Sequence, residues 1–310
     1  MSGAPVVAVC TNRSPAAVAE ALEALAAQIP PTRILLVTSG LSAAEAAAHG
    51  AAAPGALEQE PRPGLSLARN RALAWAARQG AAAVAFVDDD AIVDSGWWEA
   101  LCRRWESGEE RIAVIGGPIR PRWAVQPPPW ISPPLLATLT LLDLGGHELE
   151  LDPAVTAVFG ANVSFAVEPL REIGGFDPAF GHSGRRVFFS EEDQAQRALA
   201  ARGFRVLYAP ELGVRHVIPA ERLTRRSFVR RRFAYGRALG ARGARGSGVA
   251  LRQLATSGPG AFVALLAGDQ KLFMERAVRA AENAGVLAGR ARPGRMAEAR
   301  AGTSRSSSSR

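Results

Sequence analysis

The densest group of chemically active residues is an aspartate triplet, Asp88, Asp89 and Asp90, directly after an apolar run. In an open α/β sheet, ligands bind at the carboxyl ends of the strands, where this triplet would lie. Because alternate residues of an extended chain point the same way, Asp88 and Asp90 can hold one divalent cation of the Mg²⁺ type. The alternative is an acidic turn that caps the next helix, although Asp94 and Ser95 already supply cap residues for it.

A second acidic group is the segment Ser190-Glu191-Glu192-Asp193. A carboxylate beside an acceptor can act as a general base that removes the proton of an attacking hydroxyl. The segment also has the form of a capping box, and the helix dipole favours acids in a first helical turn. Both interpretations can hold, since residues that begin a helix can also face a cleft.

Two basic side chains accompany these carboxylates. His216 lies in an apolar segment, and its neutral imidazole can complete a metal shell if it faces the aspartates; a core or edge histidine is the alternative. Arg69 follows Ser66 by one turn, near the start of a predicted helix whose free amides attract phosphate. A solvated helix face is the alternative for Arg69.

Alternating strands and helices must position these residues, as in βαβ units around a parallel sheet. The predicted fold class is α/β, with a mixed, mainly parallel sheet flanked by helices. Apolar runs predict strands at residues 6–10, 33–37, 83–87, 112–115, 163–167, 204–208 and 214–217. Periodicity and start signals predict helices at residues 14–29, 43–48, 66–79, 95–105, 135–142 and 190–202.

Prolines predict an irregular segment at residues 118–134, because proline lacks the backbone donor that sheets and helices require. A Gly-rich loop is expected at residues 174–184. We predict a catalytic domain over residues 1–219, a basic helical extension over 220–289 and a disordered, Ser-Arg-rich tail over 290–310.

The net charge of +8 divides unevenly along the 310 residues. Residues 1–219 hold 18 arginines against 24 acidic residues, a net charge of −6. Residues 220–310 hold 18 arginines and one lysine against 5 acidic residues, a net charge of +14. An acidic body suits a cation-assisted site. It disfavours a nucleic-acid-binding protein, which would carry positive charge and interleaved aromatic residues across its body.

The basic extension contains an arginine cluster at residues 222–237, next to apolar side chains. This pattern predicts a helix that covers the acidic cleft or contacts a membrane surface, with a solvated face as the alternative. The two cysteines, Cys10 and Cys102, form neither a disulfide framework nor a metal-binding CxxC pair. Without a signal-like start or an apolar run of about 18 residues, the expected location is cytoplasmic, peripheral at the membrane at most.

The order of several short motifs resembles that of family 2 glycosyltransferases with the GT-A fold. The resemblance covers residues 5–237. The matching segments are Cys-Thr-Asn-Arg at 10–13, Glu-Pro-Arg-Pro-Gly-Leu-Ser at 60–66 with Ala-Arg-Asn at 68–70, Phe-Val-Asp-Asp-Asp at 86–90, Phe-Gly-Ala-Asn at 159–162, Gly-Gly-Phe-Asp at 174–177, Glu-Asp at 192–193 and Val-Arg-His at 214–216. Each motif is weak alone, whereas their order and spacing together are specific.

The resemblance implies a role for each matched position. The donor-binding residues would be Thr11, Arg13, Arg69, Asp88 and Asp89, and the metal ligands would be Asp88, Asp90 and His216. The catalytic residues would be Asp193, as the base, and Glu192, which orients the acceptor. The acceptor-side residues would be Gly160, Asn162 and Glu191. The implied cofactor is Mg²⁺ or Mn²⁺.

The implied activity is an inverting, metal-dependent transfer of a hexosyl or pentosyl group. The donor would be a nucleotide diphosphate sugar, and the acceptor the hydroxyl or amine of a small molecule or a lipid-linked glycan precursor. Two features depart from the family pattern. Thr38-Ser39 stands where an acidic residue usually reads the nucleobase, and the opening motif is short, which leaves the role of Arg13 open.

Two alternatives keep the α/β architecture. A nucleotidyltransferase acting on a sugar phosphate would need a Gly-rich basic loop after the first strand, but residues 11–14 contain no glycine. A catalytically silent GT-A-like binding module is the other alternative, disfavoured because both acidic motifs are present.

Overall fold

The computed structural model describes residues 3–178, 191–241, 243 and 245–291, which form two compact units. The first unit holds residues 3–123, 140–178 and 191–218, and the second holds 124–139, 219–241, 243 and 245–291. The domain division that the sequence suggests at residue 219 stays a prediction. Ser190, most of the expected tail and the end of the Gly-rich loop lie outside the described residues.

The strands in chain order are β1 (Val6–Thr11), β2 (Ile34–Ser39), β3 (Ala56–Glu60), β4 (Ala83–Val87), β5 (Ala91–Val93), β6 (Ile112–Gly116), β7 (Ile119–Trp123), β8 (Leu149–Glu150), β9 (Asn162–Ala166), β10 (Arg205–Tyr208) and β11 (Val214–Ile218). The α-helices are α1 (Pro15–Ala26), α2 (Ala43–Ala47), α3 (Leu65–Arg78), α4 (Trp97–Glu106), α5 (Val167–Glu172), α6 (Glu191–Ala200), α7 (Arg225–Ala241), α8 (Ser247–Leu266) and α9 (Gln270–Ala291). Short 3₁₀ helices occupy Pro31–Arg33, Pro133–Leu139 and Ala220–Leu223.

Among the described residues, an eight-stranded sheet with the order β3-β2-β1-β4-β9-β6-β10-β8 forms the centre of the first unit. Six of its strands run in one direction, whereas β8 and β9 are antiparallel to their neighbours. The strands β1, β2, β4, β6 and β9 are buried along almost their whole length. This burial explains their continuous apolar sequences, and the α/β class with a mainly parallel sheet is confirmed.

A smaller sheet, in the order β5-β11-β7, corrects the prediction that residues 118–134 are irregular throughout. Residues 119–123 form β7 although Pro121 lies within it. Because β7 is an edge strand, the missing donor of Pro121 breaks no ladder on its outer side. In this sheet β11 pairs antiparallel with β5, and His216 lies opposite Ala91.

The predicted cap of the helix after the aspartates is wrong. Gly96, with φ of 78°, is the N-cap of α4, so no N-cap side chain bonds the first turn of this helix. The side chain of Asp94 instead lies 3.0 Å from Arg215 Nε and 3.7 Å from Arg120 Nη1. Neither Asp94 nor Ser95 is therefore the N-cap of α4.

In the second unit, α7 and α9 pack through pairs of glycines spaced four residues apart, Gly236 and Gly240 in α7 and Gly285 and Gly289 in α9. A Cβ on any of the four would overlap a backbone carbonyl of the other helix, as Gly236 would with Glu282. Small residues at this spacing let two helix backbones approach closely.

The helix α8 differs from the sequence expectation, since it has the length and apolar composition of a membrane span. The expectation counted uninterrupted apolar residues, whereas α8 is interrupted by Ser, Thr and Gly and by Arg252, Gln253 and Pro259. Only 22% of its apolar window is buried.

Candidate active site

The aspartate triplet lies at the carboxyl end of β4, next to the end of β1, because the two strands pair in parallel. The Thr11 hydroxyl, at the last position of β1, donates a hydrogen bond to Asp89 Oδ2 over 2.5 Å. Arg13 Nη1 lies 3.3 Å from Asp89 Oδ1 and 3.5 Å from Asp90 Oδ2. The structure therefore brings together the donor-binding residues predicted from the two strands.

Asp88, Asp90 and His216 form a group with the composition of a metal site. Each offers one ligand atom, and these atoms all lie within 4.8 Å of one another. His216 Nε2 is 3.0 Å from Asp90 Oδ1, and the pairing of β11 with β5 brings the imidazole there. Carboxylate oxygens suit both Mg²⁺ and Mn²⁺, and the imidazole nitrogen is a ligand that Mn²⁺ accepts more readily than Mg²⁺, so this donor set fits a divalent cation of the implied kind.

Arg69 joins the aspartates to the second acidic group. Its side chain, 3% exposed, projects from the first turns of α3. Nη1 is 2.9 Å from Glu191 Oε1 and 3.4 Å from Glu192 Oε2, and Nη2 is 3.9 Å from Asp88 Oδ1. The two acidic motifs, distant in sequence, thus share one buried cation.

Two aromatic rings and an asparagine hold Arg69 in place. The guanidinium carbon lies 5.4 Å from the centre of the Phe86 ring and 5.8 Å from that of Phe176, within cation–π range. Asn70, the next residue of α3, accepts a hydrogen bond from the Phe176 amide and donates one to the Phe176 carbonyl. The Arg69-Asn70 pair therefore supplies the buried cation and also fixes one of its walls.

The predicted acceptor-side residue Gly160 belongs to this cluster through its backbone. Its carbonyl accepts a hydrogen bond from Arg69 Nη2 over 3.3 Å, and its amide donates one to Glu192 Oε1 over 3.3 Å. Gln196 holds the same segment two residues earlier, since its side-chain oxygen accepts the Val158 N–H and its side-chain nitrogen donates to the Val158 carbonyl. A Cβ on Gly160 would overlap the Arg69 guanidinium, which explains why the position is glycine.

Asn162 lies close by, but its side chain is engaged in the fold. Its Oδ1 accepts from the Trp97 indole, and its Nδ2 donates to the carbonyls of Pro118 and Leu212. These bonds tie β9 to α4, to the loop after β6 and to the loop before β11, so the described contacts of Asn162 are structural. Its acceptor-side role stays a prediction.

The two proposed catalytic carboxylates differ in their surroundings. Glu192 retains 18% side-chain exposure and contacts both Arg69 and Gly160. Asp193 retains 20% exposure, and its described ion pair is with Arg197, 3.4 Å away and one turn along α6. Both remain accessible enough to meet a ligand, whereas Glu191 is buried.

Burial dominates the protonation equilibria of the site. It raises the pKa of Asp88 to about 6, opposed by Arg69 and reinforced by Asp90, although 36% of the Asp88 side chain is still exposed. It raises the pKa of Asp89 as well, with Thr11 opposing. A third group of this kind is Glu191, whose pKa burial and Glu192 raise to about 8, while Arg69 opposes the shift.

Burial also raises the pKa of Cys10 to about 12, so its thiol stays protonated at neutral pH. The pKa of Arg69 is raised, because the attraction of Glu191, Glu192 and Asp88 outweighs the desolvation that opposes it. Arg69 is therefore a permanent positive charge between the two acidic groups.

Sequence reasoning missed several residues that shape the site. His49 is buried, and its ring nitrogens lie 3.0 Å from the carbonyl oxygens of Glu45 and Arg13, which ties α2 to the donor side. Gln196 was also missed, and Phe176 was noted only as part of a motif, with no role assigned to it. Phe176 lies in the Gly-Gly-Phe-Asp motif, which gave a signal, whereas an interior glutamine of a helix gives none.

The comparisons with known proteins agree with this geometry. Residues 6–157 match the sequence model of Glycosyl transferase family 2. The glucosyl-dolichyl phosphate glucuronosyltransferase of Haloferax volcanii is 29% identical over 154 residues, which cover 47% of this chain and 48% of that protein. The chain therefore aligns with about half the length of this relative.

Two solved structures share the fold. The mannosyltransferase PcManGT from Pyrobaculum calidifontis, in complex with GDP-Man and Mn²⁺, superposes with a TM-score of 0.54 and 16% identity over 97% of this chain and 79% of that chain. GalNAc-T7, with UDP, GalNAc and Mn²⁺, superposes with a TM-score of 0.50 and 14% identity over 76% of this chain and 47% of that chain. At such identities the likeness is one of fold alone.

The matched residues include the aspartate triplet and Arg69, but they end before Glu192 and His216. The sheet order, the Arg69 guanidinium between the two acidic motifs and the family match are consistent with one another. Residues 6–157 of the chain therefore carry the sequence of glycosyltransferase family 2, an enzyme family, and the fold is that of the GT-A glycosyltransferases.

Proposed function

We propose that this chain transfers a sugar, with inversion, from a nucleotide diphosphate sugar to the hydroxyl or amine of an acceptor. The observation that carries the proposal is the convergence of a cation-binding group and a second carboxylate pair on Arg69. The cation-binding group suits a diphosphate, through the cation that it would hold, and the carboxylate pair suits an acceptor. The family match favours this reaction over nucleotidyl transfer, and the presence of both groups argues against a silent module.

The donor side would consist of Thr11, Arg13 and the aspartates, with Asp88, Asp90 and His216 holding Mg²⁺ or Mn²⁺. The bound cation would supply positive charge that stabilises the leaving diphosphate. Arg13, 43% exposed at its side chain, is available to a phosphate oxygen. Arg69 is buried, so in this proposal it contributes positive charge from within the protein.

The acceptor side would use a carboxylate of α6 as the general base. Asp193 takes this role in the proposal, and Glu192 orients the acceptor from its position against Gly160. Removing the acceptor proton is worth about 10² to 10⁴ in rate. A single attack by the activated acceptor, opposite the leaving group, inverts the anomeric centre without a covalent enzyme intermediate.

A paired substitution tests the assignment of the base. We expect Asp193→Asn to lower kcat at least about 100-fold on an acceptor found by screening, with donor binding retained. Glu192→Gln should act mainly on KM for the acceptor. If Asp193→Asn turns over normally and Glu192→Gln does not, the base is Glu192 instead.

The acceptor in this proposal is a lipid-linked or small molecule. The Haloferax relative is named for a dolichyl phosphate substrate, which supports a lipid-linked acceptor, and it aligns over about half its own length. The exposed arginines of α7, such as Arg226, Arg230 and Arg237, support a peripheral contact with an anionic membrane on the cytoplasmic side.

Thermal shift with nucleotide diphosphates tests the donor proposal directly. GDP, UDP, ADP, CDP and dTDP are compared, each with Mg²⁺, with Mn²⁺ and with EDTA. We expect at least one diphosphate to raise Tm only when a divalent cation is present, and the same compound to have no cation-dependent effect on Asp90→Ala. If no diphosphate stabilises the protein in a cation-dependent way, the donor proposal is wrong.

A further inference from the structure

The carboxyl-terminal end of α8 carries a cluster of exposed apolar side chains. Phe262, Val263, Leu265 and Leu266 are 61%, 64%, 53% and 72% exposed. The opposite side of α8 is buried through small residues, among them Ala261 and Ala264, and α8 packs along α9. We call the four exposed residues the α8 tip.

Four large apolar side chains exposed together, as in the α8 tip, are unusual on a water-facing protein surface. Large contiguous apolar patches are rare on monomeric soluble proteins and mark interaction sites. The helix has the composition of a membrane span, but only 22% of its apolar window is buried, so it is not the core helix of the second unit. Its apolar character therefore calls for a partner outside the described residues.

The charge around the α8 tip indicates which partner. The described residues of the second unit hold 12 arginines and Lys271 against 4 acidic residues, a net charge of +9. Arg252 is exposed on α8 and Lys271 at the start of α9, whereas α8 itself contains no acidic residue. Asp269 is the acidic residue near the tip, and its carboxylate accepts the Leu272 amide at the start of α9.

Among the acidic residues of the second unit, Glu282 contributes little outward charge. Its side chain is 7% exposed and pairs with both Arg232 and Arg245. The outward field of the unit is therefore positive, which suits an anionic surface and disfavours contact between two copies that carry the same charge.

We propose that the α8 tip inserts into the hydrocarbon edge of an anionic lipid bilayer, with Arg252 and Lys271 at the level of the headgroups. Interfacial helices bind in this way, burying one apolar face while basic residues meet anionic lipids. Since one side of α8 is already packed on α9, α8 lies at the membrane surface and does not cross it. The inference deepens the membrane contact in the proposed function by naming the element that inserts.

Vesicle co-sedimentation of the full chain tests this proposal. The vesicles are phosphatidylcholine alone or phosphatidylcholine mixed with phosphatidylglycerol, with no sugar donor present. We expect the wild type to bind the anionic vesicles. The double variant Phe262→Gln/Leu266→Gln should bind them at least about tenfold more weakly. Both substituted residues are exposed, so the circular dichroism and Tm of the variant should match the wild type.

Two further variants separate the contributions. Val155→Gln replaces an apolar residue of the first unit that is 83% exposed, and it should bind as the wild type does. Arg252→Gln/Lys271→Gln should weaken binding to anionic vesicles and reduce its salt dependence.

Three results would overturn the proposal. They are equal binding to both vesicle types, no binding to either, and unchanged binding by the α8 tip variant. The alternative is a dimer formed through the α8 tip. Sedimentation velocity would then show a dimer for the wild type and a monomer for the tip variant, and the wild type would not bind vesicles. Because the assay contains no donor, its failure is distinct from failure of the glycosyltransferase proposal, which the thermal-shift screen tests without lipid.

Discussion

Arg69 Nη1 lies 2.9 Å from Glu191 Oε1, in an ion pair whose side chains are only 3% and 2% exposed. Glu192 and Asp88 lie close to the same guanidinium, which balances the charge of both acidic groups. Removing one partner of a buried pair leaves an uncompensated charge, which usually costs about 3–5 kcal/mol.

We therefore expect Arg69→Met to lower the free energy of unfolding by about 3–5 kcal/mol in urea titrations above pH 8, where Glu191, with its pKa of about 8, is ionised. The matched control is Arg78→Met in the same helix, because Arg78 is 58% exposed and pairs with Glu58 at the surface. Its loss should be at most about 1 kcal/mol. The double variant Arg69→Met/Glu191→Leu should recover part of the lost stability, since it removes both charges of the pair. Equal losses of stability for Arg69→Met and Arg78→Met would contradict this account.

Glu191 gives the protein a pH dependence whose sign follows from its raised pKa. The folded value of about 8 exceeds the usual 4.5, so the contribution of Glu191 to stability is complete below pH 4.5 and is lost as pH rises through 8. Between these limits, Tm of the wild type measured in EDTA should fall with pH more steeply than that of Glu191→Gln. Glu168→Gln, in an exposed pair with Arg171, is the control and should follow the wild type. Parallel profiles for the wild type and Glu191→Gln would contradict the assignment.

Asp90 is expected to be essential for cation binding. Titration calorimetry with Mn²⁺ should show that Asp90→Ala weakens binding at least about tenfold, since a ligand is lost and not merely an outer-shell contact. Asp94→Ala is the control, because Asp94 pairs with Arg215 and Arg120 outside the metal group. Mn²⁺ affinity that is the same in Asp90→Ala and the wild type would remove Asp90 from the site.

Gln196 is expected to position the loop that carries Gly160. In Gln196→Leu the Val158 amide loses its acceptor, so hydrogen exchange at Val158 should accelerate and stability should fall by about 1–3 kcal/mol. Gln59→Leu removes one hydrogen bond, to the Leu41 carbonyl, and should leave exchange at Val158 unchanged. Unchanged exchange at Val158 in Gln196→Leu would show that the Gln196 side chain has no role in ordering the loop.

The glycine pairs of α7 and α9 predict opposite effects for two similar changes. Gly236→Ala should destabilise the second unit, because its Cβ would overlap the Glu282 carbonyl. Gly248→Ala in α8 meets no atom within 4 Å and should stabilise the helix by up to about 1 kcal/mol. Thermal unfolding followed by circular dichroism measures both, and a neutral Gly236→Ala would show that the two helices can separate at no cost.

The sequence allowed prediction of the elements whose apolar residues follow one period. β1, β4 and α1 are of this kind, and the aspartates after β4 could be placed at the sheet edge from that pattern alone. β3, β5 and β7 were missed for different reasons. β3 is a polar edge strand, β5 has three residues, and β7 contains Pro121.

The site was predictable as a set of residue types but not as a set of contacts. His216 meets Asp90 because β11 returns beside β5, a pairing that no local pattern records. Likewise, the partnership of Arg69 with Glu191 depends on where α6 lies after the fold has closed. Gln196 and His49 act through hydrogen bonds to backbone carbonyls and amides, which leave no trace in hydropathy or charge.

The strand order also determines the sequence of events during synthesis. β1 to β4 can pair with one another as soon as they emerge, but the sheet partners of β6 are β9 and β10, both made later. A nascent chain that ends after β6 therefore holds an unpaired apolar strand and an aspartate triplet that lacks His216 and Glu191. Folding of the first unit must wait for its last strands. A ribosome-bound chain therefore exposes an unpaired strand edge from the completion of β6 until β9 and β10 are made, and the group Asp88, Asp90 and His216 becomes complete only when β11 is made.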